Sequence, residues 1–156
     1  MRLVIVAVGR LRSGPELDLF DNYRSRFERT GRPLALGPLA LAEVESRKGS
    51  SGAAEAPLLD AAVPRGAVRI MLDERGKQLS SPEFANHIAD WRDQGRGEAA
   101  FVIGGADGLD RSLRDKADLT LSFGPMVWPH LLIRAMLAEQ LYRAASILAG
   151  TPYHRA

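Results

Sequence analysis

Three side chains with chemical capacity stand next to one another near the end of the chain: Tyr153, His154 and Arg155. An aromatic ring can stack on a nucleic-acid base, an imidazole can exchange a proton near neutral pH, and a guanidinium can hold a phosphate or a carbonyl oxygen. Gly150 ends the preceding helix and Pro152 prevents its continuation, so the three residues form a tail outside the core. The tail predicts a surface that engages a nucleotide, and a frayed chain end is the alternative.

Glycines predict a second place for chemistry, directly after an apolar segment at Ala99–Ile103. Gly104, Gly105 and Gly108 let the backbone approach a ligand without obstruction by side chains. The dinucleotide-binding pattern G-x-G-x-x-G is missing, and so is the Gly-Lys-Ser/Thr of a phosphate loop. The glycines indicate either a ligand loop of another kind or an ordinary strand-to-helix turn.

A third candidate is the stiff and bulky segment FGPMVWPH, which spans Phe123–His130. Its backbone amides and carbonyls could bind the edge of a purine, with Met126 and Trp128 offering apolar faces. Pro129 suits the first turn of the helix that follows. The segment predicts the wall of a pocket, and the alternative is that Trp128 belongs to the core.

Length and composition limit the class of protein. With 156 residues, of which 46% are hydrophobic, the chain can bury one good core, so we expect a single domain over residues 1–156. Charged residues interrupt the apolar runs and no signal-peptide cleavage site follows the first strand, which predicts a cytoplasmic protein without a membrane segment. The chain has no cysteine, and His87, His130 and His154 lack metal-ligand spacing, so we expect no metal.

The net charge of +2 is too small to identify a nucleic-acid-binding protein, although a pI of about 9.3 is compatible with one. Basic residues are nevertheless clustered, and the clusters could contact phosphates or could simply be solvated helix faces. The clusters are Arg10 with Arg12; Arg24, Arg26, Arg29 and Arg32; and Arg47 with Lys48.

Strands that alternate with helices must position these candidate sites. The apolar runs predict five strands and favour an open α/β sheet with helices on both faces. The predicted strands are Leu3–Val8, Leu39–Val44, Val68–Leu72, Ala99–Ile103 and Leu119–Phe123. Helices are predicted after Pro15 with an end at Gly31–Pro33, over Pro57–Ala62, after an N-cap at Ser81 with Pro82 in the first helical position, and after Pro129, while Ser46–Gly52 predicts a mobile loop.

The last helix carries apolar residues around more of its circumference than one core face needs, which predicts burial against a second subunit in a homodimer. Within it, Glu139 and Arg143 stand four residues apart and predict an intrahelical ion pair.

Taken together, these segments resemble the ribosomal RNA large-subunit methyltransferase H family, a branch of the SPOUT methyltransferases, over nearly the whole length. The residues that carry the resemblance are VAVG at Val6–Gly9; Leu72, Asp73, Gly76 and Lys77; Ser81 and Pro82; IGG at Ile103–Gly105; Pro129 and His130; Arg134; AEQLYRA at Ala138–Ala144; and PYHR at Pro152–Arg155. Where many relatives have Ser-Ala-Leu-Thr-Leu, this chain has Gly-Pro-Met-Val-Trp from Gly124 to Trp128.

The resemblance implies a SPOUT-type fold: an open, mainly parallel sheet with helices on both faces and a C-terminal trefoil knot. Topology rules alone favour an unknotted, flavodoxin-like sheet. The implied cofactor is S-adenosyl-L-methionine. Its implied binding positions are Leu72, Gly104, Gly105, Gly124, Pro125, Met126, Val127, Trp128 and Pro129.

The implied reaction is methylation of N3 of a pseudouridine in a 23S rRNA stem-loop at the ribosomal subunit interface, on the assembled 70S ribosome, by a homodimer. Positioning dominates such a transfer. We expect His154 to accept the N3 proton or Arg155 to stabilise the developing anion, and Tyr153 to stack on a splayed base. Water or an RNA phosphate could equally accept the proton, and His130 is a weaker candidate.

Two other classes of protein remain compatible with the residues. One is a non-catalytic ribosome-binding factor that uses the arginine clusters and has a purely structural glycine loop. The other is an enzyme of doubly wound fold that acts on a small nucleotide. Absence of S-adenosylmethionine binding would favour the ribosome-binding factor. Binding of a mononucleotide but not of ribosomes would favour the small-nucleotide enzyme.

Overall fold

Five strands form one sheet in the computed structural model, which describes residues 1–155. Every pair of neighbouring strands is parallel, and the strand order is β2-β1-β4-β3-β5. A flavodoxin-like sheet has β3 beside β1, whereas here β4 separates them, so the expectation from topology rules alone is wrong. The strands are β1 (Arg2–Val8), β2 (Leu39–Val44), β3 (Val68–Gln78), β4 (Glu98–Ile103) and β5 (Leu119–Ser122).

Helices cover both faces of the sheet, as predicted. Successive residues of β1 alternate between the faces, so that Ile5 contributes to one apolar cluster and Val6 to the other. The first cluster includes apolar residues of α1, α3 and α5, and the second includes those of α2 and α4. The helices are α1 (Pro15–Gly31), α2 (Gly52–Ala62), α3 (Ser81–Asp93), α4 (Arg111–Arg114) and α5 (His130–Leu148), with 3-10 turns at Arg32–Leu34 and Pro152–His154.

Two elements extend well beyond their predicted ranges, while β1 and β4 each begin one residue earlier than predicted. The helix α2 begins at Gly52, because Ser51 is its N-cap and accepts a hydrogen bond from the Ala54 amide at 3.2 Å. The strand β3 continues to Gln78, because Lys77 and Gln78 pair with β5 after an irregularity that follows Leu72.

The N-cap of α3 is Ser80, so the prediction of Ser81 is wrong. The Ser80 hydroxyl oxygen accepts from the Glu83 amide at 3.3 Å, and the Glu83 carboxylate accepts from the Ser80 amide at 2.7 Å. This reciprocal pair is a capping box, and it places Pro82 at the second helical position. Ser81 instead donates its hydroxyl hydrogen to Gln140 at 2.8 Å.

Substitution at the cap tests this assignment. Ser80→Ala is expected to lower the free energy of unfolding by about 1 kcal/mol, because it leaves the Glu83 amide without its side-chain acceptor. Ser81→Ala should cost less, since the helix terminus keeps its cap. Urea denaturation of both variants measures the difference, and an equal or larger loss for Ser81→Ala would contradict it.

The helix α5 lies against α1 and α3 within the same chain, and these neighbours bury much of its apolar circumference. The breadth of the apolar surface is therefore largely explained without a second subunit, and a dimer needs other support. The predicted ion pair is confirmed, with Arg143 Nη2 at 2.7 Å from Glu139 Oε1. No helix within residues 1–155 is both long and apolar enough to cross a membrane.

Candidate functional site

A pocket of about 600 Å³ lies at the C-terminal ends of β3, β4 and β5. Parallel strands bring their C-terminal ends to one edge of the sheet, and this is where α/β proteins commonly bind ligands. Eight of the nine residues predicted to bind a ligand line it, and Pro125 does not. The eight are Leu72, Gly104, Gly105, Gly124, Met126, Val127, Trp128 and Pro129.

The glycine loop turns tightly at the end of β4. A Cβ atom at Gly104 would lie 2.6 Å from both the carbonyl carbon and the carbonyl oxygen of Gly108, and 2.9 Å from the Leu109 amide nitrogen. Backbone atoms cannot yield as a flexible side chain can, so only glycine fits there without moving the loop. Gly105 and Gly108 also form an isolated antiparallel bridge, which closes the turn. The loop is therefore a compact backbone wall for the pocket.

The loop between β5 and α5 forms the opposite wall and presents apolar side chains outward. The exposed fraction is 71% for Met126, 84% for Val127 and 38% for Trp128, so the alternative that Trp128 belongs to the core is wrong. Ser122 holds the start of this loop, because its hydroxyl oxygen accepts from the Gly124 amide at 3.1 Å. Such exposed apolar surface beside a pocket is typical of a ligand or partner contact.

Two buried carboxylates lie at or beside the pocket, and neither is among the predicted site residues. Glu55 on α2 is 5% exposed, and its two oxygens lie 3.3 Å from the Gly105 amide and 3.1 Å from the Ser46 hydroxyl. The Asp73 side chain is 6% exposed and accepts from the Arg75 amide at 2.9 Å. A single acidic residue near the start of an alanine-rich helix resembles a solvated one, so only the spatial contact identifies Glu55.

His130, the first residue of α5, lines the same pocket. Burial lowers the pKa of this imidazole below its ordinary value, and the positive charge of Arg134 lowers it further, while the charge of Glu55 acts in the opposite direction. The imidazole is therefore uncharged at neutral pH.

The fully buried Arg134 connects the pocket edge to the loop after β1. Its guanidinium donates to the Gly9 carbonyl at 2.8 Å, to the Val8 carbonyl, and to the Glu43 carboxylate at 2.9 Å. These bonds hold the end of β1, and the exposed Arg10 follows directly. Arg134 is thus a structural link between α5 and the two strands β1 and β2.

The tail packs against the C-terminal half of α5. The Tyr153 hydroxyl donates to Glu139 at 2.9 Å, its ring centroid lies 4.4 Å from that of Tyr142, and the Arg143 guanidinium carbon lies 4.8 Å from the Tyr153 centroid. Burial raises the pKa of Tyr153, and the neighbouring Glu139 carboxylate raises it further. Within this chain, then, both ring and hydroxyl of Tyr153 have partners.

His154 and Arg155 lie beyond this anchored tyrosine. His154 is half-buried, and within the described residues its buried Nδ1 has no hydrogen-bond partner, while Arg155 is exposed. Glu139 lies nine residues after His130 on α5, a separation of about 14 Å along the helix axis. The structure therefore brings the predicted pocket residues together, and it places the tail of the same chain at a different part of α5.

Comparisons with known proteins agree with this architecture. A family model described as "Predicted SPOUT methyltransferase" matches residues 1–154. A probable methylase family protein from Haemophilus influenzae has a similar fold, with a TM-score of 0.53 and 15% identity over 99% of this chain and 70% of that one. At that identity the likeness concerns the fold alone.

Curated relatives are much more similar in sequence. Proteins named "Ribosomal RNA large subunit methyltransferase H" are 65% identical in Dinoroseobacter shibae, 64% in Ruegeria pomeroyi and 63% in Paracoccus denitrificans, each over 155 residues and 99% of both chains. The chain therefore belongs to the SPOUT methyltransferases, in the large-subunit methyltransferase H family.

Proposed function

We propose that this protein transfers a methyl group from S-adenosyl-L-methionine to N3 of a pseudouridine in 23S rRNA, acting as a single-domain enzyme on the assembled 70S ribosome in the cytoplasm. The observation that supports this most is the convergence of two distant loops, at Gly104–Gly105 and Gly124–Pro129, on one pocket. The relatives' shared name supports rRNA as the substrate. The trefoil knot of the SPOUT fold stays part of the proposal.

The pocket fits S-adenosylmethionine in size and chemistry. A volume of about 600 Å³ is in the usual range for small-ligand sites. Met126 and Trp128 offer apolar faces to an adenine ring, and the backbone around Gly104 and Gly105 can approach the ligand closely. An uncharged His130 also avoids repulsion of a positively charged sulfonium.

Positioning is the main task of the chain in this reaction. When bound, S-adenosylmethionine supplies an electrophilic methyl group on its sulfonium sulfur. His154 would take up the proton that leaves N3 as the methyl group passes from sulfur to nitrogen, with the neutral thioether as the leaving group, and Arg155 would stabilise negative charge on the uracil ring. Tyr153 holds these two residues in place through its contacts with Glu139 and Tyr142.

A homodimer reconciles the positions of the pocket and the tail. Because the tail packs about 14 Å from His130 along α5, we propose that each pocket is completed by His154 and Arg155 of the partner subunit. A second opening of about 600 Å³ between α1, α3 and α5 offers surface for the partner, since Leu19 and Met136 line it and Leu19 is 44% exposed.

Exposed basic side chains surround the same edge of the sheet and supply phosphate contacts for rRNA. Arg10 and Arg12 lie in the loop after β1, and Arg47 and Lys48 lie in the loop after β2. Both loops leave the C-terminal edge that contains the pocket. Ribosome binding should therefore weaken as salt increases.

Transfer of labelled methyl from S-adenosylmethionine tests the function. Acceptors are 70S ribosomes that lack the modification, with separate subunits and protein-free 23S rRNA as controls, and the labelled nucleotide is then mapped. We expect label at N3 of one pseudouridine, strongest in 70S particles. Cofactor binding without transfer to any particle would contradict the substrate. No cofactor binding would contradict the enzyme and favour a ribosome-binding factor.

The pH dependence of cofactor affinity is expected to follow His130. Its pKa is lowered, so the imidazole becomes protonated only below the ordinary histidine range. Protonation would place a cation near the sulfonium and weaken binding by about fivefold. Calorimetric titration between neutral and acidic pH measures the loss. His130→Gln should flatten the profile, and an unchanged profile in that variant would assign the effect to another group.

A further inference from the structure

The buried carboxylate of Glu55 joins two loops that meet at the candidate site. One oxygen accepts from the Gly105 amide in the glycine loop at 3.3 Å, and the other accepts from the Ser46 hydroxyl in the basic loop after β2 at 3.1 Å. At 5% exposure, Glu55 is a rare case of an acidic side chain almost excluded from water. Such burial requires its hydrogen bonds to be kept.

The first turn of α2 packs closely against the same glycine loop. A Cβ atom at Gly52 would lie 3.1 Å from the Gly108 carbonyl oxygen, and one at Gly105 would lie 2.8 Å and 2.9 Å from the two Glu55 carboxylate oxygens. Gly105 and Glu55 therefore fit each other, since any side chain at position 105 would displace the carboxylate. The negative charge of Glu55 also acts on His130 and raises the pKa of its imidazole.

We propose that Glu55 is a positioning residue for methyl transfer, because its carboxylate fixes the Gly105 end of the cofactor loop to α2 and to the basic loop at Ser46. This inference rests on the proposed function only where cofactor affinity is the measured quantity. The two hydrogen bonds of Glu55, to Gly105 and Ser46, are present in the free protein and are called the Glu55 brace below. These bonds hold the glycine loop in its ligand-binding conformation before the cofactor binds. They thereby lower the free-energy cost of ordering the loop on binding.

Three single substitutions distinguish the contribution of the Glu55 carboxylate to cofactor affinity from the contribution of each of its hydrogen bonds. Glu55→Ala removes both bonds and should weaken S-adenosylmethionine binding by about tenfold. Glu55→Gln keeps an acceptor for the Gly105 amide and a donor towards the Ser46 hydroxyl, so affinity should stay within about threefold of wild type. Ser46→Ala removes one bond and leaves the Gly105 contact, so it should resemble Glu55→Gln.

Two measurements on the cofactor-free protein test the Glu55 brace directly. Hydrogen exchange of the Gly105 amide should accelerate by about tenfold or more in Glu55→Ala and little in Glu55→Gln. An NMR titration of His130 should show its pKa lowered further in Glu55→Gln, because the opposing negative charge is lost. Ser46→Ala, which keeps the charge, should not show this shift.

A double-substitution cycle tests the contact directly. Gly105→Ala places a methyl group against the carboxylate, and Glu55→Ala vacates that space, so the double variant should lose less affinity than the product of the two single losses. Losses that simply multiply, or unchanged Gly105 exchange in Glu55→Ala, would overturn the proposal. A loss of S-adenosylmethionine affinity in Ser46→Ala equal to that in Glu55→Ala would also overturn the proposal. If wild-type protein bound no cofactor, the proposed function would fail, and the exchange and titration data would still decide on Glu55.

Discussion

Gly104→Ala is expected to weaken cofactor binding strongly while leaving the protein folded. The added methyl group would lie 2.6 Å from the Gly108 carbonyl group and 2.9 Å from the Leu109 amide nitrogen, so the backbone of the loop must move. A displacement of even 1 Å at a site of this kind lowers activity by about 100-fold. We expect a loss of that order in S-adenosylmethionine affinity, measured by calorimetry and by the fluorescence of Trp128 in the pocket wall.

The chain offers a matched control for this substitution. A Cβ atom at Gly97 would meet no atom within 4 Å, and this glycine has no positive φ. Gly97→Ala should therefore retain affinity, and both variants should keep the far-ultraviolet circular dichroism of the wild type. An affinity for Gly104→Ala within about threefold of wild type would contradict the role assigned to the glycine loop.

Substitutions in the tail are expected to slow methyl transfer without changing the affinity for the cofactor. His154→Ala and Arg155→Ala should each slow single-turnover methyl transfer by about 100-fold at saturating ribosomes, since proton removal and charge stabilisation each contribute on that scale. Affinity for S-adenosylmethionine should be unchanged, because both residues are assigned to the reacting uracil ring and neither is among the predicted cofactor-binding residues. Rapid-quench transfer assays and calorimetry measure the two quantities separately.

Arg65→Ala is the control for loss of a positive charge, since Arg65 is exposed and precedes β3 at the opposite edge of the sheet. It should transfer methyl at the wild-type rate. Wild-type single-turnover rates in both tail variants would show that neither residue acts in the chemical step. A proton acceptor in solvent or in the RNA would then be required.

Much of the fold follows from local patterns, as β1 illustrates. Its unbroken apolar run predicts a strand buried on both faces, and Ile5 and Val6 indeed lie in opposite apolar clusters. Strand order does not follow in the same way, because pairing of β4 with both β1 and β3 depends on contacts between distant segments. Local propensity contains no information on which of two similar strands occupies the centre.

In the candidate site, too, the parts with a local sequence signal could be predicted and the parts that depend on distant contacts could not. The two pocket loops could be located because glycines and prolines directly follow strands, and parallel strands end at one edge. Glu55 could not be located, because its partner Gly105 is fifty residues away and its sequence neighbours are those of an ordinary helix. The start of α2 was missed for a different, local reason: Pro57 resembles a helix start, while the cap at Ser51 begins the helix earlier.

Mixed dimers test most directly whether the pocket of one subunit works with the tail of its partner. Subunits with Gly104→Ala are paired with subunits that carry His154→Ala and Arg155→Ala together, and the mixed species is purified through two different tags. One of its two sites then combines an intact pocket with an intact tail. Transfer of labelled methyl to 70S ribosomes should return to roughly half the wild-type rate, with both parent homodimers inactive. A mixed dimer as inactive as its parents, beside an active wild type, would contradict the shared site.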